Sequence, residues 1–380
     1  MFSLPAKYWL SFYFISFYFI WGVFLPFWGV WLEDQGISSE NIGVLFSVGL
    51  VLRFISSLSL LPKVASAKAT LRLLRVLAFL LLVSFSFLFY FQGEIWLSIM
   101  TLCINFLIAP MMPLGDIVGT RLVKQIHLDY GRVRLWGSIS FIVGSTFIGW
   151  LIVEYGKPAV LWVIIAATLI MWITVLFNLA PHLEDAKEIK KKSEQSLFTL
   201  FKTSNVFLFV LITGAIQGAH GAYYAFSSIY WGREGLSGVS IAWLWGIGVF
   251  AEVLVMRFNT QLFSAWSIKQ MLLLGLVASI IRWSAFALTS DVYLLALIQT
   301  FHGLTFAATH LAAIRYIGMQ KNSDIVRYQS LYSGVGLGLM TALFTFVSGL
   351  FFDSMGANIF LIMALFLLPV FWCIKIWKLA

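Results

Sequence analysis

The sequence has 380 residues, 61% hydrophobic and only 11% charged, with a formal net charge of +9. Soluble domains carry roughly a quarter charged residues, so a water-soluble protein is excluded; the basic residues fall in alternate loops instead of the single stripe that nucleic acid would require. Cys103 and Cys373 both lie in apolar runs, which leaves no disulfide framework or metal cluster, and neither metal nor other cofactor is expected.

Apolar runs of about 20 residues, long enough to cross a bilayer as helices, recur from Tyr8 onward. In chain order they predict twelve spans near 8–32, 40–61, 71–91, 95–120, 132–153, 159–180, 203–230, 239–261, 268–289, 292–317, 328–352 and 359–377. The runs are too long and too uniformly apolar for barrel strands, which alternate. The fold class is therefore an all-α membrane protein. The first run exceeds the core of a signal peptide and no small-residue cleavage site follows it, so it reads as an uncleaved span.

Loop charges set the orientation. Lys63, Lys68, Arg72 and Arg75 stand between spans 2 and 3, Arg121, Lys124, Arg132 and Arg134 around the loop before span 5, and Lys187, Lys190, Lys191 and Lys192 between spans 6 and 7. The other loops carry Glu33, Asp34, Glu40, Glu94, Asp291 and Asp353, with Lys157 and Arg233 the basic exceptions. By the positive-inside rule both termini are expected in the cytoplasm, and the protein is expected to be multi-pass in the cell inner membrane. The charged stretch APHLEDAKEIKKKSEQS places a cytoplasmic linker at 181–202 between six-helix bundles at 1–180 and 203–380.

The two halves echo each other. GWLIVEYG at 149–156 and GLFFDSMG at 349–356 lie 200 residues apart, and DYGRVR before span 5 is matched by DIVR before span 11. Two matches in register suggest parallel repeats, an architecture of secondary transporters.

Phosphate-binding loops, HExxH and nucleophile elbows are missing from the sequence, so no enzyme is expected and uphill transport would draw on an ion gradient. Proton coupling needs ionisable groups inside the membrane, and these are Arg53, Asp116, His220, Glu252, Arg282, His302 and His310. Arg53 could snorkel, Asp116 could be a solvated helix end, and His220 and His310 could be interhelical packing residues. Glu252 and Arg282 sit near mid-span, where a lone charge is costly. At 100 degrees per residue, Gln299, His302, Thr305, Thr309, Ala313 and Tyr316 share one side of span 10, with His310 about 80 degrees from His302. In FYFIWGVFLPFWGVWL the candidates for substrate stacking are Trp21 and Phe27, because Gly22 and Pro26 would loosen the helix between them.

FIWGVFLPFWGVWLEDQGIS resembles the first span of the oligosaccharide and proton symporters of the major facilitator superfamily, the lactose permease group. PLGDIVG, DYGRVRLWGS, QGAHGAYYAFSSIYW, FAEV and HLAAIRYI, scattered over nearly the whole chain, are closer to the bacterial 3-phenylpropionate permeases. The resemblance implies the major facilitator fold. It also places the group's substrate-binding carboxylate and arginine on Asp116 and Arg134, 18 residues apart, and its span 8 glutamate, span 9 arginine and span 10 histidine on Glu252, Arg282 and His302. Gln299 and Thr305 replace a lysine and the proton-carrying glutamate of that group, and LPKVASAKA departs from the superfamily's usual glycine and aspartate pattern.

These readings combine into a monomeric proton symporter that imports a small organic solute by alternating access. Asp116, Arg134, Glu252, Trp21, Phe27 and Arg53 are expected to bind substrate, and Glu252, Arg282 and His302 to couple protons, with His220, Gln299, Thr305 and His310 as weaker candidates. The family likeness favours 3-phenylpropionate or a similar aromatic carboxylate; a sugar or nucleoside is the alternative, and a non-transporting membrane sensor a more distant one. Asp116 and Arg134 are expected to pair with each other. The partners are then substrate, protons and the lipid bilayer.

Overall fold

The computed structural model describes residues 3–64, 66–90, 93–184, 197–321 and 324–378. Most of the linker expected at 181–202 lies outside them, although Leu197–Phe201 forms one short helix. Twelve helices among the described residues are long and apolar enough to cross a membrane. They are α1 (Ala6–Asp34), α2 (Ser39–Leu60), α3 (Ala67–Phe87), α4 (Glu94–Ile126), α5 (Tyr130–Tyr155), α6 (Ala159–Leu176), α7 (Ser204–Arg233), α8 (Gly238–Arg257), α9 (Ile268–Leu288), α10 (Val292–Gly318), α11 (Ile325–Met355) and α12 (Asn358–Ile376).

Local chemistry moves several boundaries from their expected places. Ser66 caps α3 by accepting from the Ala69 amide at 3.1 Å, so the helix begins at Ala67, four residues before the expected 71, and takes in Lys68. Asp129 does the same for α5, accepting from the Arg132 amide at 3.1 Å, so the helix starts at Tyr130, two residues before the expected 132. The sixth span ends at Leu176 instead of near 180, because β2 (Asn178–Ala180) pairs in parallel with β1 (Ser3–Pro5). Trp9 reinforces that clip by donating its indole N–H to the Phe177 carbonyl at 3.1 Å.

Two compact units result. One gathers Met1–Ser38, Val48–Glu188 and Ser237–Trp243; the other gathers Ser39–Ser47, Ile189–Leu236 and Leu244–Ala380. The internal echo has structural content in both. Gly156 and Gly356 end α5 and α11 at φ of +80° and +53°, a region that favours glycine. Asp129 holds Arg132 at 2.9 Å, and Asp324 holds Arg327 at 3.0 Å, at the starts of the same two helices. The basic exceptions in the acidic loops are paired as well, Lys157 lying 3.8 Å from Asp34 and Arg233 lying 2.9 Å from Asp353.

Within the first unit α1 and α5 pack backbone to backbone. A Cβ at Gly144 would stand 2.7 Å from the Phe19 carbonyl oxygen, and one at Gly22 would collide with that of Phe141. Gly22 therefore serves close approach, and α1 runs unbroken through Pro26. Along α1 the rings of Trp9, Tyr13, Phe17, Trp21, Phe24, Trp28 and Trp31 form a continuous ladder with centroids 4.6 to 6.3 Å apart.

Candidate functional site

Arg282 of α9 organises the polar centre of the second unit. It is completely buried, and its guanidinium donates to His302 Nδ1 at 2.9 Å, Thr305 Oγ1 at 3.0 Å and Gln299 Oε1 at 2.6 Å. Gln299 passes a bond on from its amide nitrogen to the Tyr223 hydroxyl at 2.9 Å. The guanidinium carbon also lies 4.8 Å from the Tyr223 ring centroid, 4.6 Å from Trp283 and 5.4 Å from Phe286, so its charge is spread over neutral acceptors and ring faces. Gln299 and Thr305 are thus both ligands of Arg282.

The donors fix both histidine tautomers. An arginine can only donate, so His302 Nδ1 must be bare and its proton must sit on Nε2, which faces Glu252 Oε2 at 3.5 Å. The Gln217 carbonyl can only accept, so His220 carries its proton on Nδ1, 3.1 Å away, and its Nε2 accepts from Thr305 Oγ1 at 3.1 Å. His302 cannot take a second proton on Nδ1 while Arg282 holds that atom. Glu252, with about a quarter of its side chain exposed, is the member of this chain that can change protonation without breaking the Arg282 frame. The other described carboxylates of this unit, Glu40, Glu234, Asp291, Asp324 and Asp353, all lie at or near helix ends.

His310 departs from the expected helical phase. Residues Gly303–Ala308 form a π-helical turn, whose wider winding carries His310 back toward the side of His302. Phe306 stacks between them, with centroids 5.5 Å from His302 and 6.1 Å from His310. His310 Nδ1 meets the Tyr332 hydroxyl of α11 at 2.9 Å, at the start of a second π-helical stretch, Tyr332–Leu339.

The first unit carries a separate cluster. Arg53 of α2 donates Nε–H to Asn105 Oδ1 at 2.7 Å, and its guanidinium carbon lies 4.7 Å from the Trp21 ring and 6.0 Å from Phe24. Asn105 is itself fixed by donating to the Thr101 carbonyl at 2.8 Å. Its approach needs a glycine opposite, since a Cβ at Gly49 would stand 2.8 Å from Asn105 Cγ. Phe27, expected beside Trp21 at the site, is 1% exposed and belongs to the packed core.

Asp116 and Arg134 do not meet as an ion pair among the described residues. Asp116 accepts from the Tyr130 hydroxyl at 2.6 Å, while Arg134 donates to the Tyr18 hydroxyl and lies over the Tyr18 and Phe14 rings at 4.1 and 5.5 Å. The expected pair is thus resolved into two phenol-bound charges, each with a local partner. Tyr18, Tyr130, Tyr223 and Asn105 bond the candidate side chains and were not singled out from the sequence. Asn105, a carboxamide within EIWLSIMTLCINFLI, carried a usable signal, because an amide inside a membrane helix needs a partner.

Twelve helices long and apolar enough to cross a membrane, with charged side chains held on hydrogen-bonding frames in both units, fit a multi-pass transporter, and the family match makes it one of the major facilitator superfamily. The chain belongs to the MFS_1 like family, which it matches over residues 8–363. It is 34% identical over 367 residues, 96% of both chains, to the probable 3-phenylpropionic acid transporter of Escherichia coli (strain K12). It is 24% identical to the maltose permease of Geobacillus stearothermophilus, covering 91% of this chain and 86% of that one. Among solved structures, a mutant of the nucleoside transporter NupG superposes with a TM-score of 0.84 at 17% identity, covering 98% of this chain and 100% of that one.

Proposed function

We propose that this protein is a proton symporter that imports an aromatic monocarboxylate of the 3-phenylpropionate type across the cytoplasmic membrane, with both termini in the cytoplasm. The observation that carries the reading is Arg53, an intramembrane guanidinium whose hydrogen-bond partner is a neutral amide and whose face lies on Trp21. A carboxylate supplies the missing counter-charge through a charge-assisted bond, and a phenyl ring finds stacking partners in the α1 ladder. The likeness to the Escherichia coli relative supports the same class of substrate.

Glu252 carries the proton in this reading. His302 donates to it from Nε2 and is held in that tautomer by Arg282, so Glu252 loads when it meets water and releases when the carboxylate is drawn back toward the Arg282 and His302 frame. One carboxylate and one proton then enter as a neutral pair. Proteoliposomes offered radiolabelled 3-phenylpropionate, a disaccharide and a nucleoside, with and without an imposed proton gradient, test it. Gradient-dependent uptake of the aromatic acid alone is the expected result.

A sugar or nucleoside is the second reading, favoured by Asp116. Tyr130 bonds one of its oxygens, Oδ1, leaving Oδ2 as an acceptor suited to a substrate hydroxyl.

A further inference from the structure

Three basic residues line the first three turns of α3, and they have different fates. Arg75 is structural, donating to the Val175 carbonyl and to Asn178 Oδ1, both at 2.9 Å. Lys68 and Arg72 are exposed, and among the described residues neither makes a hydrogen bond or ion pair. They stand one turn apart on one helix face and border a groove of about 480 Å³ between the end of α2 and the start of α3.

Lys68 and Arg72 supply the groove's charge, Leu60, Val64, Leu73 and Val76 supply apolar walls, and none of the lining residues is a carboxylate. From Lys68 to Val76 the helix climbs about 12 Å, so the lining extends roughly two turns along α3. A second groove of about 480 Å³, walled by Ile15, Phe19, Phe147 and Trp162 among others, has no charged residue. It offers an acyl chain a surface but gives no preference among headgroups.

We infer that the α2/α3 groove is a binding site for one anionic glycerophospholipid of the adjoining leaflet, with the phosphate between Lys68 and Arg72 and an acyl chain along Leu73 and Val76. Charge complementarity selects the anionic headgroup, since a zwitterionic lipid would bring a third cation to a site that already has two. The apolar walls select a lipid over a soluble phosphate. The inference depends on membrane embedding alone and is independent of substrate and of proton coupling.

The test is native mass spectrometry of the purified full chain titrated with phosphatidylglycerol and, separately, with phosphatidylcholine. Wild type should retain one phosphatidylglycerol and hold phosphatidylcholine more weakly. Each cation near an anionic lipid contributes a factor of roughly five, so Lys68→Gln/Arg72→Gln should weaken phosphatidylglycerol binding about 30-fold. The control Lys124→Gln/Arg132→Gln, which removes the same charge from other exposed positions, should bind as wild type does. Ala69→Trp, which fills the groove without changing charge, should also release the lipid. The assignment is overturned if the Lys68/Arg72 variant binds phosphatidylglycerol as tightly as the control, if phosphatidylcholine binds equally well to wild type, or if Ala69→Trp has no effect.

Discussion

Replacing Glu252 by Gln separates the proton from the scaffold that surrounds it. The amide oxygen of Gln can still accept from His302 Nε2, which lies 3.5 Å from the carboxylate, so the tautomer set by Arg282 survives. What changes is the bond's charge: a hydrogen bond to a charged group contributes roughly 1.5 to 3 kcal/mol and a neutral one roughly 0.5 to 1.5, a difference of about 1 kcal/mol. The long contact and the partial exposure of Glu252 make that an upper figure, and the variant should fold with a melting temperature within a few degrees of wild type. Coupling, in contrast, should disappear. If one proton accompanies each carboxylate, a gradient of about one pH unit supplies roughly 1.36 kcal/mol and supports tenfold accumulation. The variant should equilibrate substrate without accumulating it, while counterflow between preloaded vesicles and labelled medium continues. Tenfold, gradient-dependent accumulation by Glu252→Gln would refute the assignment of the proton to this carboxylate.

Arg53→Gln should raise KM for an aromatic acid about 10- to 150-fold, the range spanned by a charged hydrogen bond of roughly 1.5 to 3 kcal/mol, and Arg53→Lys should recover it only partly because the planar face on Trp21 is lost; unchanged uptake kinetics would remove Arg53 from the site. Gly49→Ala should displace Asn105 and lower thermal stability by about 1 to 3 kcal/mol while raising KM, as seen by thermal shift and uptake together, because the added Cβ meets Asn105 at 2.8 Å. Asp116→Asn should leave monocarboxylate transport within a few-fold of wild type, whereas a large loss confined to hydroxyl-bearing substrates would favour the second reading. Cysteine labelling from either side of the membrane should find Lys124→Cys accessible from the cytoplasm and Asp34→Cys from outside; the reverse would invert the topology.

The transmembrane plan could be read in the sequence because hydrocarbon allows few alternatives: a run such as AVLWVIIAATLIMWITVL can satisfy its backbone only as a helix. Helix ends were less legible where a single side chain decides them, as Ser66 does for α3 and Asp129 for α5. In the second unit, Glu252, Arg282, His302, Gln299 and Thr305 were all nominated, since each is a polar group that an apolar span must explain. The position of His310 was missed because 100 degrees per residue assumes an uninterrupted α-helix, and no residue in GLTFAA announces the wider turn. The Asp116 and Arg134 pairing failed for another reason: sequence spacing says which charges share a region, but a phenol on a neighbouring helix can intercept each one, as Tyr130 and Tyr18 do.

The short parallel clip between Ser3–Pro5 and Asn178–Ala180 joins chain segments made at very different times. A ribosome adding roughly 5 to 20 residues per second needs about 9 to 35 s to travel from one strand to the other. For that interval the first helix sits in the bilayer with its leading strand unmatched, while five further helices are inserted behind it. Closure of the clip is therefore timed by the arrival of its second strand, and a ligand, tag or nascent-chain factor that occupies Ser3–Pro5 during those seconds competes with that pairing without touching Arg53, Glu252 or Arg282.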